Sequence, residues 1–190
     1  MRKTINRLIL DETLEKTFEK LKPGKVLDLG GANSPYKKLI PTTKYLCVDL
    51  NPKHKPDIIG DVHNLKIKNK SFDTIIATEL LEHCHSPKIV VKEMHRILRK
   101  KGVVIASVPF MYPYHGDKFS KDYWRFSEDG IKELFKDFDK VKIYPHGSLT
   151  TTLLNFIFCR YFFLTRLSKI FYKIRFGQLP AGFVIYATKK

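Results

Sequence analysis

The last quarter of this 190-residue chain lacks acidic side chains altogether. From Lys140 to Lys190 there is no Asp or Glu against nine Lys or Arg, and all nineteen acids lie before Lys140. The imbalance leaves a net charge of +16. Besides a solvated basic surface, it points to an anionic partner, either a membrane surface or nucleic acid. Cysteine is scarce. Cys47, Cys84 and Cys159 are odd in number and far apart, which argues against a disulfide framework and fits a reduced, cytoplasmic compartment. The segment "MRKTINRLILDETLEK" has no long apolar run and no small-residue cleavage site, so it does not read as a secretory signal. The longest uncharged stretch, Ile143 to Cys159, is interrupted by Pro145 and Gly147, and its apolar part is too short to span a bilayer. No repeat or low-complexity segment occurs.

What is present reads as one α/β domain. Hydrophobic residues make up 43% of the chain, enough for a globular core. Ile5, Leu8, Ile9, Leu14, Phe18 and Leu21 recur at roughly helical spacing, and Pro23-Gly24 ends that segment. Short apolar runs of strand length follow: "KVLDLG", "KYLCVDL", "PDIIGDV", "FDTIIATE", "GVVIASVP", "KVKIYP" and "FVIYATK". Runs apolar on both faces suit a parallel sheet covered by helices. Two intervening segments carry helix punctuation. Ser86 and Pro87 open one that Gly102 is expected to close, and Ser127 caps "SEDGIKELFKDF". This alternation specifies an open, doubly wound sheet.

The stretch "KVLDLGGANSPY" places the ligand site. Val26 to Leu29 form the first strand, and Gly30 and Gly31 sit at its carboxyl end, where such sheets bind ligands. Residues without Cβ let ligand atoms approach the backbone there. Asp49 closes the second strand, nineteen residues after Gly30, where a carboxylate can accept hydrogen bonds from a ribose diol. Asp61 closes the third strand, within reach of an adenine amino group. Together they outline a nucleoside pocket. From Gly30 the chain reads G-G-A-N-S-P, without the spaced glycines that a pyrophosphate needs, so a phosphate-free nucleoside is favoured.

This stretch resembles the first motif of class I S-adenosylmethionine-dependent methyltransferases, acid-x-G-x-G-x-G. Asp28 and Gly30 match, Gly31 is extra, and Ala32 and Ser34 stand where glycines are common. Phe72 to Pro109 is similar to the fourth-to-fifth-strand block of the type 11 methyltransferase family: F-D, an apolar strand, L-E-H, a helix ending R-x-L-x-x-x-G, and a strand ending in Pro. "YHGDKFSKDYWRFSEDGIKELF" resembles the next block of a subset of that family. The resemblance implies a Rossmann-like fold with a seven-stranded, mostly parallel sheet of order 3-2-1-4-5-7-6, helices on both faces, and "FVIYATKK" as the antiparallel strand seven. It implies S-adenosylmethionine as cofactor and S-adenosylhomocysteine as product. Asp28, Gly30 and Gly31 would line its methionine end. Asp49 would hold the ribose with Leu50 beside the adenine, Asp61 and Val62 would meet the adenine, and Glu79 and Leu80 would lie by the sulfonium.

Methyl transfer is an in-line displacement that depends mainly on positioning. A hydroxyl acceptor gains from a general base, and His suits neutral pH. His83 and His115 are the candidates, with His85 as a neighbour of the first. Asp122, Tyr123, Trp124 and Arg125 could wall the acceptor: the rings suit a flat sugar face, and Arg125 suits an anionic group. Either histidine and either ring could instead serve the fold. In "EHCH" four adjacent residues cannot all face one ion, so no metal site is expected. Nucleic-acid amino methyltransferases carry Asn or Asp followed by Pro-Pro and an aromatic after strand four, whereas here the chain reads Thr78-Glu79-Leu80-Leu81.

Between the last two strands, at about 147–179, a basic and apolar helical insertion is expected. Arg166, Lys169 and Lys173 fall on one helical face in line with Asn155 and Thr151, while Arg160 interrupts the apolar side. Such a segment reads as a membrane-surface helix, a core-packing insertion or a dimer interface. The expected protein is a cytoplasmic methyltransferase, peripheral to the inner membrane face, acting on an oxygen of a small or lipid-linked acceptor such as a glycan. The rival is an RNA-binding methyltransferase-like protein.

Overall fold

The computed structural model describes residues 4–118, 120–159 and 176–190. Seven strands form one sheet of order β3-β2-β1-β4-β5-β7-β6. They are β1 (Gly24–Leu29), β2 (Thr42–Asp49), β3 (Ile58–Ile59), β4 (Phe72–Thr78), β5 (Leu98–Pro109), β6 (Lys140–His146) and β7 (Gly182–Thr188). The first five run parallel, and β7 runs antiparallel between β5 and β6. This is the order and the strand direction that the resemblance implied.

Two apolar layers flank the sheet. Helix α1 (Ile5–Phe18) is capped by Thr4, whose hydroxyl accepts from Arg7 N, and packs Leu10, Leu14 and Phe18 against Val26, Ile76, Ile105 and Val184. On the other face, α2 (Pro87–Ile97) and α3 (Glu128–Leu134) bury Val90, Met94 and Ile131 against Leu27, Ile75, Val104 and Ile185. Ser127 Oγ accepts from Gly130 N at 3.2 Å, as its capping role requires. Helix α4 (Leu149–Cys159) follows β6. Phe162, Phe163, Arg166, Lys169 and Lys173, with Arg160, lie outside the described residues. Among the described residues no helix is long and apolar enough to cross a membrane.

Helix α2 departs from its expected bounds. It ends at Ile97, not before Gly102, and Ser86 makes no side-chain cap. Leu98 turns extended and pairs with Phe72, while Lys189 Nζ donates to the carbonyls of His95 and Leu98. A cation from the far end of the chain thus satisfies the last helical carbonyls, a tertiary contact that overrides local propensity.

Candidate active site

The carboxyl ends of β1, β2, β3 and β4 converge on a cavity of about 300 Å³. Gly30, Asp49, Leu50, Asp61, Val62, Glu79, Leu80 and His83 all line it. Asp28 and Gly31 do not. Asp28 is buried behind the loop, where Oδ2 accepts from the Tyr45 hydroxyl, and any side chain on Gly31 would collide with its carboxylate. Burial lifts the Asp28 pKa to about 6, against the pull of the Tyr45 bond and with help from the Asp49 charge.

The loop after β1 has glycine geometry with only partial glycine content. Gly30 (φ 64°), Ala32 (φ 44°) and Ser34 (φ 48°) all take the left-handed conformation. A Cβ on Gly30 would stand 2.7 Å from Leu80 Cδ1, the movable end of a side chain, so it is the left-handed φ that calls for glycine here. Asp49 organises the opposite lip. Its Oδ2 accepts from Ala32 N at 2.9 Å and its Oδ1 from Asn51 N at 2.8 Å, with His54 Nδ1 3.2 Å from Oδ1, so Oδ2 is the oxygen with a lone pair to spare for a ligand. Asp61 accepts from His63 N at 2.9 Å and contacts His63 Nδ1 at 2.6 Å. Desolvation works against its charge, yet these bonds hold its pKa below the usual range. The floor at Gly30 is open, a prepositioned carboxylate stands at the end of β2, and a second acid stands after β3. These residues fit an adenosyl group whose sulfur end points toward Glu79.

The far wall is built from the turn after β4 and the loop after β5. Glu79 has left-handed φ (49°), its N–H donates to Ser107 O at 3.1 Å, and its Oε1 accepts from Ser107 Oγ at 2.8 Å. Burial raises its pKa against that bond. Glu82 is fully buried with no hydrogen-bond partner for either oxygen, and desolvation plus the Glu79 charge raise its pKa well above the usual range. Tyr123 N donates to Glu82 O at 2.8 Å, and Trp124 Nε1 to Cys84 O at 2.8 Å, which clamps the β5 loop on the β4 turn. His83 and His115 meet there with ring centroids 4.9 Å apart. Burial lowers the His83 pKa although its Nδ1 bonds the Lys121 carbonyl, which keeps the ring neutral at pH 7. His85 stacks instead on His63, at 4.0 Å between centroids.

Arg125 takes a different part from the one its charge suggested. Its fork grips Asp122 at 2.5 and 2.7 Å, and its remaining donors reach the carbonyls of Tyr112, Pro113 and Trp124. The guanidinium is spent on holding its own loop rather than turned to an anionic ligand. The Arg125 bonds hold Asp122 down to a pKa of about 2. Tyr123 and Trp124 keep exposed ring faces beside the cavity mouth.

Sequence reasoning missed a smaller polar chamber behind Glu79. Asn6, Arg7, Tyr112 and His146 line a cavity of about 50 Å³ that shares Glu79 with the larger one. Asn6 and His146 are buried with both polar side-chain atoms unpartnered, and burial lowers the His146 pKa to about 4. Neither residue sits in a motif, so no local signal could have found it. Glu82 was visible in L-E-H, but only the β5 loop reveals that it is buried without a partner.

A sheet of this order, with a cavity at the carboxyl ends of its first four strands, is the Rossmann-like fold of class I methyltransferases. Residues 27–106 match the model of a family described as a methyltransferase domain. Solved structures agree on the fold. A methyltransferase of Thermotoga maritima, named S-adenosylmethionine-dependent, superposes with a TM-score of 0.67 at 18% identity, covering 98% of this chain and 92% of that one. A Burkholderia thailandensis 1,6-didemethyltoxoflavin-N1-methyltransferase, solved with its acceptor and S-adenosylhomocysteine, gives 0.61 at 15% identity, covering 98% and 76%. An uncharacterized protein of Methanocaldococcus jannaschii is 30% identical over 115 residues, 56% of this chain and 44% of that protein. The chain thus spans less than half the length of that relative.

Proposed function

We propose that this protein transfers a methyl group from S-adenosylmethionine to an oxygen of a small or lipid-linked acceptor such as a glycan. The observation that carries the reading is the junction of two walls. The adenosyl-shaped cavity ends at Glu79 and His83, and beyond it lie Glu82, His115 and the exposed faces of Tyr123 and Trp124. The cofactor supplies an activated methyl group on a positively charged sulfur. Gly30, Asp49 and Asp61 would hold its adenosyl part, and Glu79 would face the sulfur. An acceptor hydroxyl standing about 3 Å from the methyl carbon gains the C–O bond as the C–S bond breaks. Its proton leaves toward the acid and imidazole groups of the far wall, with His115 and His83 as the nearest bases. The ring faces of Tyr123 and Trp124 suit a sugar.

The acid-free tail supports a lipid-linked acceptor and a location at the inner face of the membrane. Arg166, Lys169 and Lys173 would meet anionic lipid, each contributing about 1 kcal/mol. Exchanging all three for Gln should weaken binding to phosphatidylserine vesicles by roughly 3 kcal/mol, leave neutral vesicles unaffected, and be mimicked by raised salt. A wild-type chain that ignores such vesicles, and a dimer that these exchanges split, would make the segment a subunit interface. The acceptor itself is found by incubating lipid, glycan and RNA fractions with methyl-labelled cofactor. Label in lipid or glycan is expected, and label in RNA alone overturns the assignment.

A further inference from the structure

Three groups of the far wall have their polar ends aimed at one another without bonding. Glu82 is fully buried, and neither of its oxygens has a partner among the described residues. His83 Nε2 and His115 Nε2 each stand 3.9 Å from Glu82 Oε1, beyond hydrogen-bond reach. The other nitrogen of each ring is engaged. His83 Nδ1 lies 2.7 Å from the Lys121 carbonyl, which can only accept, so Nδ1 carries the hydrogen. His115 Nδ1 faces Asp122 Oδ2 and the Pro113 carbonyl, each at 3.2 Å, and these too can only accept. With each Nδ1 engaged, each Nε2 is left turned toward Glu82. Two imidazole nitrogens and one buried carboxyl oxygen thus converge on one point.

We infer that Glu82, His83 and His115 bind a divalent transition-metal ion beside the point of methyl transfer. The binding stands on the geometry alone; the use of the ion rests on the methyl-transfer reading. The ligand atoms lie within 4.8 Å of one another. An ion about 2.1 Å from each atom needs them roughly 3–3.6 Å apart, a contraction of less than about an ångström per side chain. The surroundings already have the form of a metal centre's outer layer. A carboxylate and a backbone carbonyl fix the Nδ1–H tautomer of His115, and a carbonyl fixes that of His83. Two imidazoles and one carboxylate favour Zn²⁺, Co²⁺ or Mn²⁺ over the all-oxygen ligation of Mg²⁺ or Ca²⁺. Three protein ligands leave a coordination position open for an acceptor oxygen. The charges agree. The Arg125 fork is bonded to Asp122, and neither oxygen of the buried Glu82 has a hydrogen-bond partner among the described residues. In this arrangement His115 and His83 serve as ligands, and the ion, rather than an imidazole, loosens the acceptor proton. The string "EHCH" gave no such site because its third ligand, His115, arrives from the β5 loop.

The test is titration of the metal-stripped full chain with Co²⁺ and Zn²⁺, with Mg²⁺ as control. One equivalent of Co²⁺ should bind with visible ligand-field bands and without a near-ultraviolet thiolate band, and Zn²⁺ should compete for the same site. Glu82→Gln and His115→Ala should each weaken binding at least about tenfold, while His85→Ala should not. His115 lies on a loop and is half-exposed, so His115→Ala keeps the test valid even if the buried Glu82→Gln variant misfolds. A wild type that binds neither ion more tightly than His115→Ala overturns the inference and leaves protons and water in the cluster. A thiolate band would move the ion to a cysteine. Loss in His85→Ala with retention in His115→Ala would move it to the His63–His85 stack. Calorimetry with S-adenosylhomocysteine on the same samples separates the two readings. Cofactor binding without ion binding sinks this inference alone, and ion binding without cofactor binding sinks the methyl-transfer reading alone.

Discussion

The two walls of the cavity are finished to different degrees. On the β1–β3 side each carboxylate has a bonded oxygen: Asp49 is held by two backbone amides, Asp61 by His63 and Asp28 by Tyr45, and of these oxygens only Asp28 Oδ1 is buried and unpartnered. On the β4–β5 side Glu82 is buried with polar atoms that bond nothing among the described residues, as are Asn6 of α1 and His146 of β6 in the small chamber behind Glu79. A wall that satisfies itself is ready before its ligand arrives. A wall with unmet polar groups holds free energy that a ligand can release, since an unpaired buried group costs about 1–3 kcal/mol. The first pattern suits a common cofactor, and the second suits a particular acceptor.

Substitutions can break or sharpen this contrast. The largest effect is expected from His115→Ala on the unfinished wall. Turnover of the labelled acceptor should fall about a hundredfold or more while S-adenosylhomocysteine affinity stays at the wild-type value. Equal losses in both would erase the division between the walls. On the finished wall, Asp49→Ala removes a charged acceptor from the ribose position, each such bond being worth roughly 1.5–3 kcal/mol. It also frees Ala32 N and Asn51 N. Calorimetry should show cofactor affinity down by about tenfold or more, and an unchanged value would remove Asp49 from the site.

Asp28 tests the same wall through pH. Its folded pKa of about 6 lies above the ordinary 3.8. Between those values the folded chain holds more protons than the unfolded one, so this group's contribution to stability falls as pH rises through the window. Asp28→Asn should therefore raise the melting temperature of the ligand-free protein at pH 7.5, by about 1 kcal/mol in stability terms. The gain should vanish near pH 4, and a pH-independent difference would refute the buried charge. The smallest effect should come from Ala32→Gly or Ser34→Gly. Either relieves a left-handed residue, and the looser unfolded chain offsets part of that relief, for a net gain of roughly 0.5 kcal/mol in denaturant unfolding.

Much of this was legible in the sequence. The strands and the ends of β1 and β2 followed from apolar runs, from Gly30 and from the spacing to Asp49, while the strand order followed from the family resemblance. Seven of the nine expected cofactor residues line the cavity: Gly30, Asp49, Leu50, Asp61, Val62, Glu79 and Leu80. The misses share one cause. Arg125 was read by its charge, but its partner Asp122 lies on its own loop, and only the folded loop brings the carbonyls of Tyr112 and Pro113 to it. The end of α2 was read from Gly102, but Lys189 decides it from the other end of the chain. Asn6 and His146 carry no local pattern, because their meeting is a property of the packed sheet. Local chemistry shows in a sequence, whereas partners brought from afar do not.

The place of β7 has a consequence for how the molecule assembles. Although it follows β6 in the chain, it lies between β5 and β6 and pairs with both along its full length. Strand β6 therefore has no berth in the sheet until Gly182–Thr188 arrives. Closing that gap means looping the whole of residues 147–181, a cost that grows only slowly with loop length. The sheet should thus complete in one late, cooperative step governed by this long-range pairing. Within that span α4 is already anchored, with Thr151, Thr152 and Asn155 buried and Thr152 Oγ1 donating to Leu179 O, so the closing step brings α4 and β7 into place together.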